Sequence, residues 1–176
     1  MAEDPIPLDR LYTAIEEHIA RTLPALAFVR AMSDRLDHIA IPAVVIEMVE
    51  WEPGLDPGTG EVGVEARFEA RVIVAGEEEH SLRIAAFSAA QLTVLLRMQT
   101  WGIEVEPAKF VRAAQDWTRP ELDGYAVWVV EWTQIIYLGE EEWPWPNQPP
   151  GSIVWGFVPD TGPGSEGSYL PPEAME

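Results

Sequence analysis

The chain has 176 residues and sets 11 Lys plus Arg against 30 Asp plus Glu, for a formal charge of −19 and a pI near 4.3. Apolar residues at 47% and aromatics at 10%, with 8 Trp, exclude an acidic disordered tail, because such tails lack this much material to bury. A surface this acidic repels phosphate, which argues against a static nucleic-acid binder or a polybasic membrane module and in favour of basic partners.

There is no Cys, hence no disulfide framework and no thiolate chemistry. The opening Met-Ala-Glu-Asp-Pro lacks the positive n-region of a signal peptide, and no run approaches 18 apolar residues, so a soluble protein is expected. The length suits one domain with an appended segment.

Leu8, Leu11, Ile15, Ile19 and Leu23 recur at three- and four-residue spacing with charged residues between them, which predicts an amphipathic helix stopped by Pro24. Residues 25–31 are too short a run to carry a decisive period and suit a strand or a second helix start. From Ala43 to Glu52, Val44, Ile46 and Met48 fall on one side of a strand. The two Pro-Gly pairs and third Gly of 52–61 predict a loop.

The clearest element follows. Val62, Val64, Ala66, Phe68, Ala70, Val72 and Val74 alternate with Gly63, Glu65, Arg67, Glu69, Arg71 and Ile73, giving one apolar and one charged strand face. Together 43–75 read as a long hairpin whose loop projects well beyond the body. Glu77, Glu78 and Glu79 then lead into a helix over 79–98 carried by Leu82, Ala85, Ala89, Leu92 and Leu96. Residues 106–117 are a weaker strand candidate, interrupted by Pro107 as an edge strand tolerates. After a turn at 119–124, Tyr125 to Leu138 is strongly β and is expected to be a central strand, with Trp128 and Trp132 in the core.

Composition changes after Gly139: residues 139–176 hold 8 Pro and 6 Gly and no Lys or Arg. The reading is therefore a core over 1–138 and an extended C-terminal arm over 139–176 that cannot pack a core of its own. Trp143, Trp145, Trp155 and Phe157 make the arm too apolar for an idle linker and mark them as candidate interface anchors. The fold class expected is α+β, an antiparallel sheet with two helices packed on one face.

No catalytic constellation emerges. His18, His38 and His80 are scattered with no zinc spacing, and Gly54, Gly58 and Gly60 precede a strand without the Lys-Ser/Thr of a phosphate loop. Glu65 and Glu69 share a strand face, but Arg67 lies between them, which fits an interface surface better than a catalytic pair. The reading is a non-enzyme with no cofactor and no metal.

The helix ending in Leu23-Pro24, the strand introduced by Ile41-Pro42-Ala43-Val44-Val45-Ile46, the long hairpin, the Ala-rich helix and the closing Tyr-Ala-Val-Trp-Val-Val-Glu-Trp-Thr-Gln strand form one pattern. Over residues 6–138 it resembles the tail-terminator (tail-completion) proteins of long-tailed bacteriophages. The resemblance implies a virion protein assembled in the host cytoplasm. It implies a ring, commonly a hexamer, that caps the tail tube and joins a tail-tube protein to a neck or head-completion protein, with DNA passing through unbound. On this reading the hairpin tip (Pro53, Gly54, Leu55, Asp56, Pro57, Gly58) contacts a neighbouring subunit, and Glu65, Arg67, Glu69 and Arg71 are candidate lumen or interface charges. The alternative is an acidic DNA mimic or inhibitor occupying a basic protein cleft.

Overall fold

The computed structural model describes residues 8–31, 39–140, 142, 155–157, 159, 161, 164 and 166–170. The chain divides into two compact units, Met1–Trp143 and Pro144–Glu176. In chain order the first holds α1 (Leu8–Thr22), β1 (Phe28–Ala31), β2 (Ala43–Pro53), β3 (Val62–Ala75), α2 (Ser81–Leu95), β4 (Lys109–Gln115) and β5 (Tyr125–Leu138). The strands form one five-stranded mixed sheet in the order β1-β2-β3-β5-β4, an α+β fold.

The sheet is not wholly antiparallel as expected. β1 runs parallel to β2, from Phe28 opposite Ala43 to Ala31 opposite Ile46. A parallel neighbour needs a connection long enough to bring the chain back, and residues 32–42 supply it. The Ala27 N–H donates to the Pro42 carbonyl at 2.7 Å, setting the starts of β1 and β2 side by side. Glu16 of α1 accepts from the Ala31 N–H at 2.7 Å and pairs with Arg30, which ties the short edge strand to the helix.

β2 and β3 pair antiparallel from Ala43–Ile73 to Pro53–Val64. The sequence predicts a long hairpin whose loop projects well beyond the body; in the structure β5 backs β3 along its full length, from Val62–Leu138 to Ala75–Tyr125, so the hairpin strands belong to the larger sheet. A two-stranded ribbon is marginal in water, and the third strand removes that weakness. β3 is thus the middle strand, with β5 interior beside it and β4 at the edge. β2 also runs into the expected 52–61 loop as far as Pro53, where an edge position asks no N–H of the proline.

Both helices cover the same sheet face. Leu11, Ile15 and Ile19 of α1 and Ala89 and Leu92 of α2 pack with Leu96 on the even-numbered residues of the strands, including Ile46, Phe68, Val72, Val130 and Trp132. The Phe68 and Trp132 rings stack at 5.1 Å. Trp132 is fully buried, while Trp128 is half-buried at the margin. Gln134, also in this core, accepts from Trp101 Nε1 at 2.8 Å and donates to the Glu106 carbonyl at 2.7 Å, fixing the segment between α2 and β4.

α2 is shorter than the predicted 79–98. His80 sits at φ 64°, so Glu77–Glu79 belong to the turn before the helix and not to its first turn. Within the second unit Trp155 and Leu170 exchange backbone hydrogen bonds of 2.8 and 2.9 Å, which sets these two residues side by side in an antiparallel bridge.

Candidate functional site

The odd-numbered side chains of the central strands form the sheet face opposite the helices. At one end this face is apolar, with Ala43, Val45, Ile73, Leu122 and Val127 in a small second core. Beyond it lies a lattice of arginines and carboxylates, which follows from the register: Glu47 is opposite Glu69, Glu69 opposite Glu131, and Arg112 opposite Glu131. Like charges directly opposite each other destabilise a sheet, so each acid needs a cation from a neighbouring position.

Glu131 is fully buried and accepts from Arg67 Nη2 and from Arg112 Nε, the latter at 2.6 Å. Burial pushes its carboxyl up, but the two arginines outweigh that and hold it below the usual carboxylate range. Arg71, 6% exposed, reaches three carboxylates: Glu47 at 2.6 Å, Asp116 at 2.8 Å and Glu69. Burial likewise pushes Asp116 up, and hydrogen bonds from Thr118 and then Arg71 bring it below its ordinary value. Arg119 donates to Glu47 at 2.5 Å and pairs with Glu121, closing the group.

The sequence marked Glu65, Arg67, Glu69 and Arg71 as one charged face, and the structure places them there. It brings Arg67, Glu69 and Arg71 together with Glu47, Arg112, Asp116, Arg119 and Glu131, which sequence reasoning did not join to them. Arg71 is committed to three acids and buried beneath them, so of the four it is the one least available to a lumen or partner.

The loop residues lie at the far end of the β2–β3 hairpin. Pro53, Leu55, Asp56 and Gly58 are exposed, while Gly54 and Pro57 are partly covered. The Gly54 N–H donates to the Gly63 carbonyl at 2.8 Å, and Asp56 Oδ1 accepts from the Gly58 N–H at 2.8 Å, an Asx turn that shapes the tip. A Cβ on Gly63 would collide with the Leu55 carbonyl, so the loop folds down on a position only glycine can fill. Trp143 and Trp145 lie outside the described residues. Trp155 and Phe157 are exposed in the second unit, at 52% and 59%.

Exposed apolar side chains mark both lateral margins of the sheet. Among the described residues β1 pairs only with residues 43–46 of β2, which leaves the distal half of β2 as an edge carrying Val49 and Trp51. Beside it, Leu8, Tyr12, Ala31, Met48 and Trp51 line an open groove of about 920 Å³. The opposite edge, β4, exposes Phe110 and Val111. Isolated exposed apolar residues are ordinary, but unpaired strand edges that carry them are templates for another chain.

Neither a scan against protein-family models nor a search of the curated proteins returns a match to this chain. Among the described residues, no helix is long and apolar enough to cross a membrane, and no group of three His, Asp or Glu side chains is placed to hold a metal ion.

Proposed function

We propose that this chain is the subunit of a structural ring at the head-proximal end of a phage tail, where it ends tube growth and joins tail to neck without catalysing a reaction. The observation that carries the reading is the pair of unlike apolar edges on opposite sides of one sheet, Val49 and Trp51 on β2 and Phe110 and Val111 on β4. Two different surfaces on opposite sides of a subunit support head-to-tail contacts, and such heterologous contacts close into rings when the rotation fits. The charge of −19 suits a channel that DNA must slide through without sticking.

A DNA mimic is less well supported, because the acids on the sheet face are neutralised by Arg67, Arg71, Arg112 and Arg119 instead of forming a phosphate-like ladder. The experiment is a mixing test. Trp51→Lys and Val111→Lys should each abolish self-association, and an equimolar mixture should form dimers through the two intact edges. A mixture that stays monomeric while the native chain assembles would rule out head-to-tail assembly through these edges. A native chain that stays monomeric and inhibits a DNA-binding protein would favour mimicry.

A further inference from the structure

α2 is apolar all round. Its 15 residues carry one charge, Arg83, and a helix of this kind is ordinarily covered on every side. Here Ala85, Ala89 and Leu92 face the core, while Phe87 and Val94 are 58% and 75% exposed, with the small Ala90 leaving a notch between them. Arg83 and Arg97 bound this outward stripe at the same four- and three-residue spacing. From Ser81 to Ile103 the sequence holds no Asp or Glu, in a chain that has 30 of them. Among the described residues, neither arginine has a carboxylate partner.

The far end of the β2–β3 hairpin is the opposite case. Residues 52–66 hold Glu52, Asp56, Glu61 and Glu65 and no Lys or Arg. Glu52 stands directly opposite Glu65 in the register. The acid pairs farther along the sheet, Glu47 with Glu69 and Glu69 with Glu131, are met by arginines, whereas this pair has no cation among the described residues. Glu142 joins the same end, its N–H donating to the Thr59 carbonyl at 2.8 Å. Amid these acids Leu55 is 67% exposed.

We infer that the α2 stripe is the seat for the hairpin end of a neighbouring copy, with the Glu52–Glu65 pair at Arg97 and Leu55 in the Ala90 notch. The inference rests on the ring reading and names a contact within it. Charge decides the occupant, because one surface lacks the cation and the other lacks the acid. Two α2 stripes laid together, parallel or antiparallel, would instead set arginine against arginine. Glu77–Glu79 directly precede α2 at its Arg83 end, which leaves Arg97 for the incoming acids. Three extended residues from Glu52 to Leu55 span at most about 10 Å, and the seven helical residues from Arg97 back to Ala90 rise about 10 Å. The placement is also head-to-tail: α2 packs on β3, β5 and β4, towards the β4 edge, whereas the hairpin end continues the β2 edge.

Glu52 and Arg97 are both exposed, so the charge at each can be reversed without touching the core. Self-association of the full-length native chain, Glu52→Lys, Arg97→Glu and the double variant is measured by sedimentation velocity over a concentration series at low and high salt. Thermal melts check that each variant folds. Either single reversal should weaken self-association roughly tenfold or more at low salt, since it replaces an attraction by a repulsion, and high salt should narrow the difference. The double variant should recover most of the loss, which an effect of Glu52→Lys on the nearby β2 edge alone would not allow. Native self-association that either single reversal leaves unchanged, or a double variant no better than the singles, overturns the inference and leaves the ring reading standing. A native chain that is monomeric at every concentration removes both.

Discussion

Replacing Arg71 by Met keeps most of the side-chain volume and removes the cation on which Glu47, Glu69 and Asp116 converge. The Arg71 side chain is 7% exposed and that of Asp116 is 4%, so water cannot take over the lost role cheaply. Glu47 keeps Arg119, which leaves Glu69 and Asp116 as the abandoned acids. Breaking a buried ion pair by removing one partner costs about 3–5 kcal/mol, and the variant should fall in that range at pH 7. For a chain of this size that is a drop of roughly 10 °C in Tm. A packing defect alone would give a deficit independent of pH. An electrostatic one shrinks as acid neutralises the stranded carboxylates. Asp116 has its folded pKa depressed, so its stabilising contribution is present above its ordinary value of 3.8 and is lost as pH falls through the folded value. Urea unfolding of native and variant chains at pH 7 and at about pH 3.5 measures both effects. Equal stability at pH 7, or the same deficit at both pH values, would refute the account of this face.

Trp132→Ala should destabilise the chain by about 3–5 kcal/mol, since it empties a fully buried site beside Phe68 and Trp101, and a melting temperature within error of native would remove Trp132 from the core. Gly63→Ala should loosen the tip of the hairpin, because the added carbon meets the Leu55 carbonyl, and faster amide exchange at the Gly54 N–H would report it. His18, held between Gln99 and Trp101, has its pKa lowered first by burial and then by Arg21. The neutral ring is therefore the one the fold prefers, and stability should decline as pH falls below about 6.5 and level off below the folded pKa. His18→Gln should flatten that decline in a pH series of thermal melts.

Much of the helix-covered face was legible in the sequence because its signals are local. The alternation of β3 from Val62 to Val74 and the stripe of α1 from Leu8 to Leu23 each name their buried side from spacing alone. The parallel setting of β1 was not legible, because four residues carry no period and orientation depends on where the chain returns after Ala31. Nor was the burial of Arg71 and Glu131. On a single strand a charged residue reads as solvated, and its covering depends on cross-strand partners and on Asp116, 45 residues away. The one trace available was composition: β3 carries two of the chain's 11 cations and β5 a lone Glu within an otherwise uncharged run, which points to cross-strand pairing once the register is known. The exposed stripe of α2 was visible as a helix with too few charges for its outer face, a signal overshadowed by the matching stripe that faces the core.

The proposed ring is tested most directly by native mass spectrometry of the full-length chain across a range of concentrations and salt. A closed assembly gives one dominant species with a fixed whole number of copies, six on the resemblance to tail-terminator proteins, and few larger species. A monomer at every concentration, or an open-ended ladder of masses, would contradict it.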